Sequence, residues 1–121
     1  MLLAEDNDLN AEIAIEILQA NDIEVDRVAD GLACVERIKD CDPDYYNIIL
    51  MDIQMPRMNG YDATRTIRAL KDKSKSRIPI IAMTANAFEE DRKAAFKAGM
   101  NAHIAKPIDV PMLLQTIAEL I

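Results

Sequence analysis

Glycine is scarce in this chain, three residues in 121, and they form neither a G-x-G-x-x-G turn nor a Walker phosphate loop. A backbone cradle for a nucleotide is therefore excluded. There is a single histidine, and no Ser/His/Asp arrangement can be assembled around it. The two cysteines, Cys34 and Cys41, show no CxxC or Cys/His metal spacing. They share a helical face with Ile38, which points to core packing, and a reducing compartment would keep them as thiols. A surplus of positive charge is also missing. Fourteen Lys and Arg against 21 Asp and Glu give a net charge of -7, which argues against binding a nucleic-acid backbone and leaves proteins, cations and small molecules as partners. No apolar run approaches the length of a bilayer span, and no basic-then-apolar leader opens the chain. The expected location is the cytosol, free or tethered through a fused membrane sensor, with no membrane contact by this domain. Low-complexity tracts and repeats are absent. KDKSKSR at 71–77 reads as a solvated loop, with a basic docking patch as the alternative.

What is present is alternation. With half its residues hydrophobic and 29% charged, a chain of this length fits one domain over residues 1–121, built on one core. Short apolar strands are expected at 1–4, 24–28, 48–51, 78–84 and 102–105. Helices are expected between them: from 9 through 21 with Leu9, Ile13 and Ile17 recurring at helical spacing, after the Asp30-Gly31 turn, at 60–70, at 89–98 up to Gly99, and from Pro111 onward. Strict β/α alternation implies parallel strands with right-handed crossovers and helices on both faces. Continuous apolar runs such as IILM and IPIIAM are what buried parallel strands require. The fold class is thus α/β, a doubly wound, flavodoxin-like (βα)5 sandwich with strand order 2-1-3-4-5.

In NIILMDIQMPRMNG, residues 47–60, a buried strand runs straight into Asp52. The fold explains why. Ligands of open α/β sheets bind at the carboxyl ends of the strands, beside the point where strand order reverses, here between strands 1 and 3. Strand 1 leads to Glu5 and Asp6, strand 3 to Asp52, and strands 4 and 5 deliver Thr84 and Lys106 to the same edge. Three carboxylates so close repel one another unless a cation sits among them. Oxygen ligands suit a hard divalent ion such as Mg2+, which takes one or two carboxylates and completes its shell with water and phosphate oxygens. Asp52 would then be placed as a nucleophile, with Lys106 and Thr84 contacting phosphoryl oxygens. Each residue has a plainer reading on its own: Glu5-Asp6 in a solvated turn with Asn7 or Asp8 capping a helix, Thr84 in a strand, Lys106 on the surface. Their joint arrival at four strand ends is what the plain readings do not account for.

AEDN at 4–7, MDIQMPRMNG at 51–60, MTAN at 83–86 and AKPID at 105–109 together resemble the receiver domain of two-component response regulators, most closely the receivers of hybrid sensor histidine kinases. The resemblance covers essentially the whole chain. It implies that Asp52 is the phosphoacceptor, that Asp6, Asp52 and the Gln54 backbone carbonyl bind Mg2+ (or Mn2+), and that Glu5 holds the ion through water. Lys106 would contact the phosphoryl group and Thr84 would be the switch hydroxyl. Small Ala85 would leave the path to Asp52 open, while Gln54 and Asn86 would flank the route of attacking water and tune the phosphoryl lifetime. His103 stands where such receivers often carry a switching Tyr or Phe, so either a switching role or simple cover of the strand edge fits it. The Lys106-Pro107 bond is expected to be cis.

The implied function is phosphorelay signalling. A phosphoryl group would pass from a phosphohistidine on a histidine kinase or histidine phosphotransfer domain to Asp52, and the domain would promote its own phosphorylation and dephosphorylation without being an enzyme in the ordinary sense. Bulk packing against the sheet and neighbouring helices is the expected cause of the first helix's wide apolar surface, with docking of a phosphotransfer domain near Asn10 and Ala14 as the alternative. The face from the fourth strand to the fifth helix is where two copies would pair. An aspartate-nucleophile phosphatase of the haloacid dehalogenase kind would show a DxDx[TV] pattern, and Asp52-Ile53-Gln54 lacks the second aspartate. A receiver kept only as an interaction module is the other rival.

Overall fold

The computed structural model describes residues 1–85 and 88–121. Its elements run β1 (Leu2–Ala4), α1 (Asp8–Ala20), β2 (Asp26–Val28), α2 (Gly31–Asp40), β3 (Ile49–Asp52), α3 (Gly60–Arg68), α4 (Lys73–Ser76), β4 (Ile80–Thr84), α5 (Glu89–Ala98), β5 (Ala102–Ala105) and α6 (Val110–Leu120). All four strand pairings are parallel, in the order β2-β1-β3-β4-β5. That is the doubly wound order expected from the alternation.

Period-two alternation along each strand divides the core in two. Leu2, Ala4, Ile49, Met51, Ile80 and Ala82 face α2, α3 and α5, where Cys34, Val35, Ile38, Ala63, Ile67 and Ala95 meet them. Leu3, Leu50, Ile81, Met83 and Ile104 face α1 and α6, against Ala11, Ala14, Leu18, Leu113 and Ile117. Cys34 is buried as a packing residue; half-buried Cys41 ends α2 and directs its thiol at the Ile38 carbonyl. Burial pushes the Cys34 thiol up to about 12, so it stays protonated and unreactive.

Three local expectations need correction. Bulk packing does not take up the wide apolar surface of α1: Leu9 is 65% and Ile13 46% exposed, while Ala11, Ala14 and Leu18 are buried. Small alanines let the helix lie close to the sheet, and the larger apolar residues are left outside. The 71–77 stretch is not wholly loop. Asp72 caps a single turn, α4, by accepting from the Ser74 backbone N–H at 2.9 Å, which brings the helices among the described residues to six. The second and fourth strands begin two residues later than expected, at Asp26 and Ile80. No helix among the described residues is long and apolar enough to cross a membrane.

Candidate functional site

The carboxyl edge of the sheet is built by chain direction and by strand parity. Glu5, Asp52 and Lys106 each lie two residues beyond a member of the α1/α6 core, namely Leu3, Leu50 and Ile104. They therefore leave their strands on the same side of the sheet. Thr84 ends β4 on the opposite parity, following Ala82, and is itself buried. A cavity of about 260 Å3 opens between these strand ends, lined by Glu5, Asp6, Asp52, Thr84, Ala85 and Lys106, with the exposed Gln54 at its rim. Asn86 lies outside the described residues.

Each loop that delivers a carboxylate is fixed by its own bonds. Asn7 caps α1 by accepting from the Asn10 backbone N–H at 3.0 Å, settling the choice between Asn7 and Asp8, and turns the chain directly after Asp6. Arg27 on β2 clamps the Glu5 carbonyl with Nε and Nη2 at 3.0 and 2.8 Å and reaches Asp8 with Nη1 at 2.8 Å. Sequence reasoning missed Arg27: it sits on a strand remote in sequence, and its target is a backbone oxygen with no signature of its own. Past Asp52, the Gly60 N–H returns to the Ile53 carbonyl at 2.8 Å. A Cβ at Gly60 would stand 2.4 Å from the Asp52 carbonyl oxygen, so this close return admits only glycine.

The electrostatics follow from burial. Side-chain exposure is 2% for Glu5 and 9% for Asp52. Lys106 Nζ sits 2.9 Å from Glu5 Oε1 and 3.3 Å from Asp52 Oδ2, one cation shared by two carboxylates. Burial, and then the neighbouring Glu5 carboxylate, pushes the Asp52 carboxyl up to about 7. Burial also works against charge on Glu5, but hydrogen bonds with Asp52 and Lys106 outweigh it and hold that carboxyl low. Lys106 is likewise opposed by burial and is raised on balance by Glu5 and Asp52. Glu5 Oε2 is buried and meets no donor among the described residues. One ligand oxygen from each of Glu5, Asp6 and Asp52 lies within 4.8 Å of the others. An all-oxygen set with negative charge in excess of its lysine, and an orphaned buried carboxylate oxygen, fits a hard divalent cation.

The Lys106-Pro107 peptide is cis. His103 on β5 lies across from Ala82 on β4 and is half-buried on the side opposite Ile104. Its Nε2 is buried and has no hydrogen-bond partner among the described residues. Burial lowers its pKa, with Asp91 and Arg92 of α5 adding opposed smaller effects. Of the first-helix residues named for docking, Asn10 is exposed but Ala14 is buried. Ile13 takes its place at the surface, lining a cavity of about 90 Å3 with Asn10, Met83, Lys106, Pro107 and Ile108.

Comparison with known proteins agrees with this geometry. The family model for the response regulator receiver domain matches residues 1–118. Hybrid signal transduction histidine kinase L of Dictyostelium discoideum is 42% identical over 109 residues, 89% of this chain and 6% of that kinase. The chain thus corresponds to a small part of that much longer relative. Among solved structures, the receiver domain of sensor histidine kinase PA1611 from Pseudomonas aeruginosa PAO1, with a magnesium ion coordinated in its active site cleft, superposes with a TM-score of 0.87. It is 39% identical, and the alignment covers 98% of this chain and 93% of that one. The receiver domain of Saccharomyces cerevisiae Ssk1, solved with the histidine phosphotransfer protein Ypd1, gives a TM-score of 0.87 at 28% identity, covering 98% and 86% of the two chains. By the extent of the family match, by sequence identity and by fold, this chain belongs to the response regulator receiver domain family of two-component phosphorelay systems.

Proposed function

We propose that Asp52 accepts a phosphoryl group from a phosphohistidine on a histidine kinase or phosphotransfer domain. The observation that carries this reading is the buried Asp52 carboxyl, held beside Glu5 and shared with Lys106 at the mouth of the cleft. An Asp52 oxygen attacks phosphorus in line, the phosphorus–nitrogen bond breaks, and the donor imidazole leaves with the electron pair and takes up a proton. Lys106 neutralises charge on the equatorial phosphoryl oxygens, and the Thr84 hydroxyl hydrogen-bonds to the same group. Asp6, Asp52 and the Gln54 carbonyl would hold Mg2+ directly, with Glu5 in its outer shell. The bound ion would supply charge neutralisation for the incoming phosphate. Water entering past Gln54 and Ala85 hydrolyses the aspartyl phosphate and resets the domain.

The partner's surface is read from α1. Exposed Leu9 and Ile13, with Pro107 and Ile108 across a shallow cavity, form an apolar rim beside the charged cleft. Such a rim fits a helix of a phosphotransfer domain that presents its phosphohistidine to Asp52. Ile13→Asp is expected to slow transfer from a phosphohistidine protein about tenfold, with a much smaller effect on phosphorylation by acetyl phosphate. Equal losses with the two donors would contradict this docking face.

A further inference from the structure

The loop that follows Asp52 is tied to a helix with no residue in the cleft. Arg57, between Pro56 and Met58, has φ of 62°, a left-handed conformation that side-chain-bearing residues seldom adopt. The Met58 N–H closes on the Pro56 carbonyl at 2.7 Å, a tight three-residue turn around Arg57. Turns of this kind with positive φ at the centre are strained and persist only where their surroundings hold them. The holding group is Asp30. Its Oδ2 receives Arg57 Nε at 2.8 Å and Nη2 at 2.7 Å, and its Oδ1 caps α2 through the Ala33 N–H at 2.8 Å. Asp30 is 7% exposed. Burial opposes its charge, but the Ala33 N–H and the Arg57 guanidinium outweigh it and hold the carboxyl low. Beside this pair the Gly31 N–H donates to the Met58 carbonyl at 3.1 Å, and a Cβ at Gly31 would meet that oxygen at 2.2 Å.

The loop is therefore fastened at Gly60 to the Ile53 carbonyl and, through Arg57 and the Met58 carbonyl, to the head of α2. Gln54 lies on the span between. We infer that the Asp30–Arg57 pair is a positioning device for the cation site: by holding the strained turn it fixes the Gln54 carbonyl toward Asp6 and Asp52. Neither residue touches the reacting atoms; they act through the loop. The inference rests on the proposed use of that carbonyl as a metal ligand.

Mg2+ titration followed by backbone amide NMR tests it without any phosphorylation step. In Arg57→Gly and Asp30→Asn, Mg2+ affinity is expected to fall about tenfold, the low end for groups acting from outside the ligand shell. Glycine accepts the turn without strain, and asparagine preserves the helix cap, so the double variant, which leaves no buried charge unpaired, should keep a thermal stability near that of the unaltered protein. The double variant should bind no more weakly than the weaker single, because the two residues act as one unit. Weaker Mg2+ binding at preserved stability supports the inference, whereas a merely structural clamp would lower stability and leave affinity alone. Unchanged affinity in variants of a protein that itself binds Mg2+ overturns it. Failure of the unaltered protein to bind Mg2+ would instead overturn the metal-site reading, and this inference with it.

Discussion

Lys106→Ala is expected to cut the rate of Asp52 phosphorylation by acetyl phosphate by roughly 10²- to 10³-fold, the usual cost of removing one preorganised donor from developing oxyanion charge. Two effects combine. Lys106 is the cation nearest the phosphoryl oxygens in the proposed mechanism, and it also joins Glu5 to Asp52 at 2.9 and 3.3 Å. Without it, two buried carboxylates face each other unrelieved, and Asp52 holds its proton more firmly against use as a nucleophile. The rate constant from intact mass over time reads the effect, with circular dichroism to verify the fold. A rate within threefold of the unaltered protein would remove Lys106 from the mechanism.

The second large effect is on stability and has a definite sign. The Asp52 carboxyl is pushed up to about 7 in the folded domain, far above the unfolded value near 3.9. A raised folded-state pKa means the native state binds the proton more tightly than the unfolded chain does. The resulting stabilisation is complete below about pH 4 and is gone once pH has risen through about 7, so the Mg2+-free protein should weaken between about pH 4 and pH 7. Asp52→Asn removes the charge while keeping the shape, and its amide can donate toward Glu5. After allowing for solvent screening at the open cleft, the variant is expected to be more stable than the parent by roughly 1–2 kcal/mol at pH 8, the gap closing toward about pH 4. Adding Mg2+ at pH 8 should stabilise the parent and narrow the same gap. Thermal melts across pH check this; a variant less stable than its parent at pH 8 would contradict it.

The sequence displayed the sheet clearly because buried parallel strands are uniformly apolar, and IILM and IPIIAM have no competing reading. It displayed Glu5, Asp6, Asp52, Thr84 and Lys106 for a related reason: strand ends are where apolar runs stop, and the fold brings those ends together. Periodicity alone could not say which face of α1 is buried. Leu9 and Ile13 share a helical stripe whether that stripe faces inward or outward, and close packing on the sheet selected the alanine face. The single turn of α4 carries no apolar repeat to detect, only Asp72 as its cap. Arg27 and Arg57 were illegible because their partners are a backbone carbonyl and a side chain 27 residues away. Contacts of that kind exist only once the chain has folded.

Every role proposed for the cleft depends on Asp52 as phosphoacceptor. Intact-protein mass after incubation with acetyl phosphate and Mg2+, for the parent and for Asp52→Asn, tests it most directly. One added phosphoryl group that requires Mg2+ and disappears in the variant is the expected result. An adduct that persists in Asp52→Asn, or none in the parent protein, would contradict it.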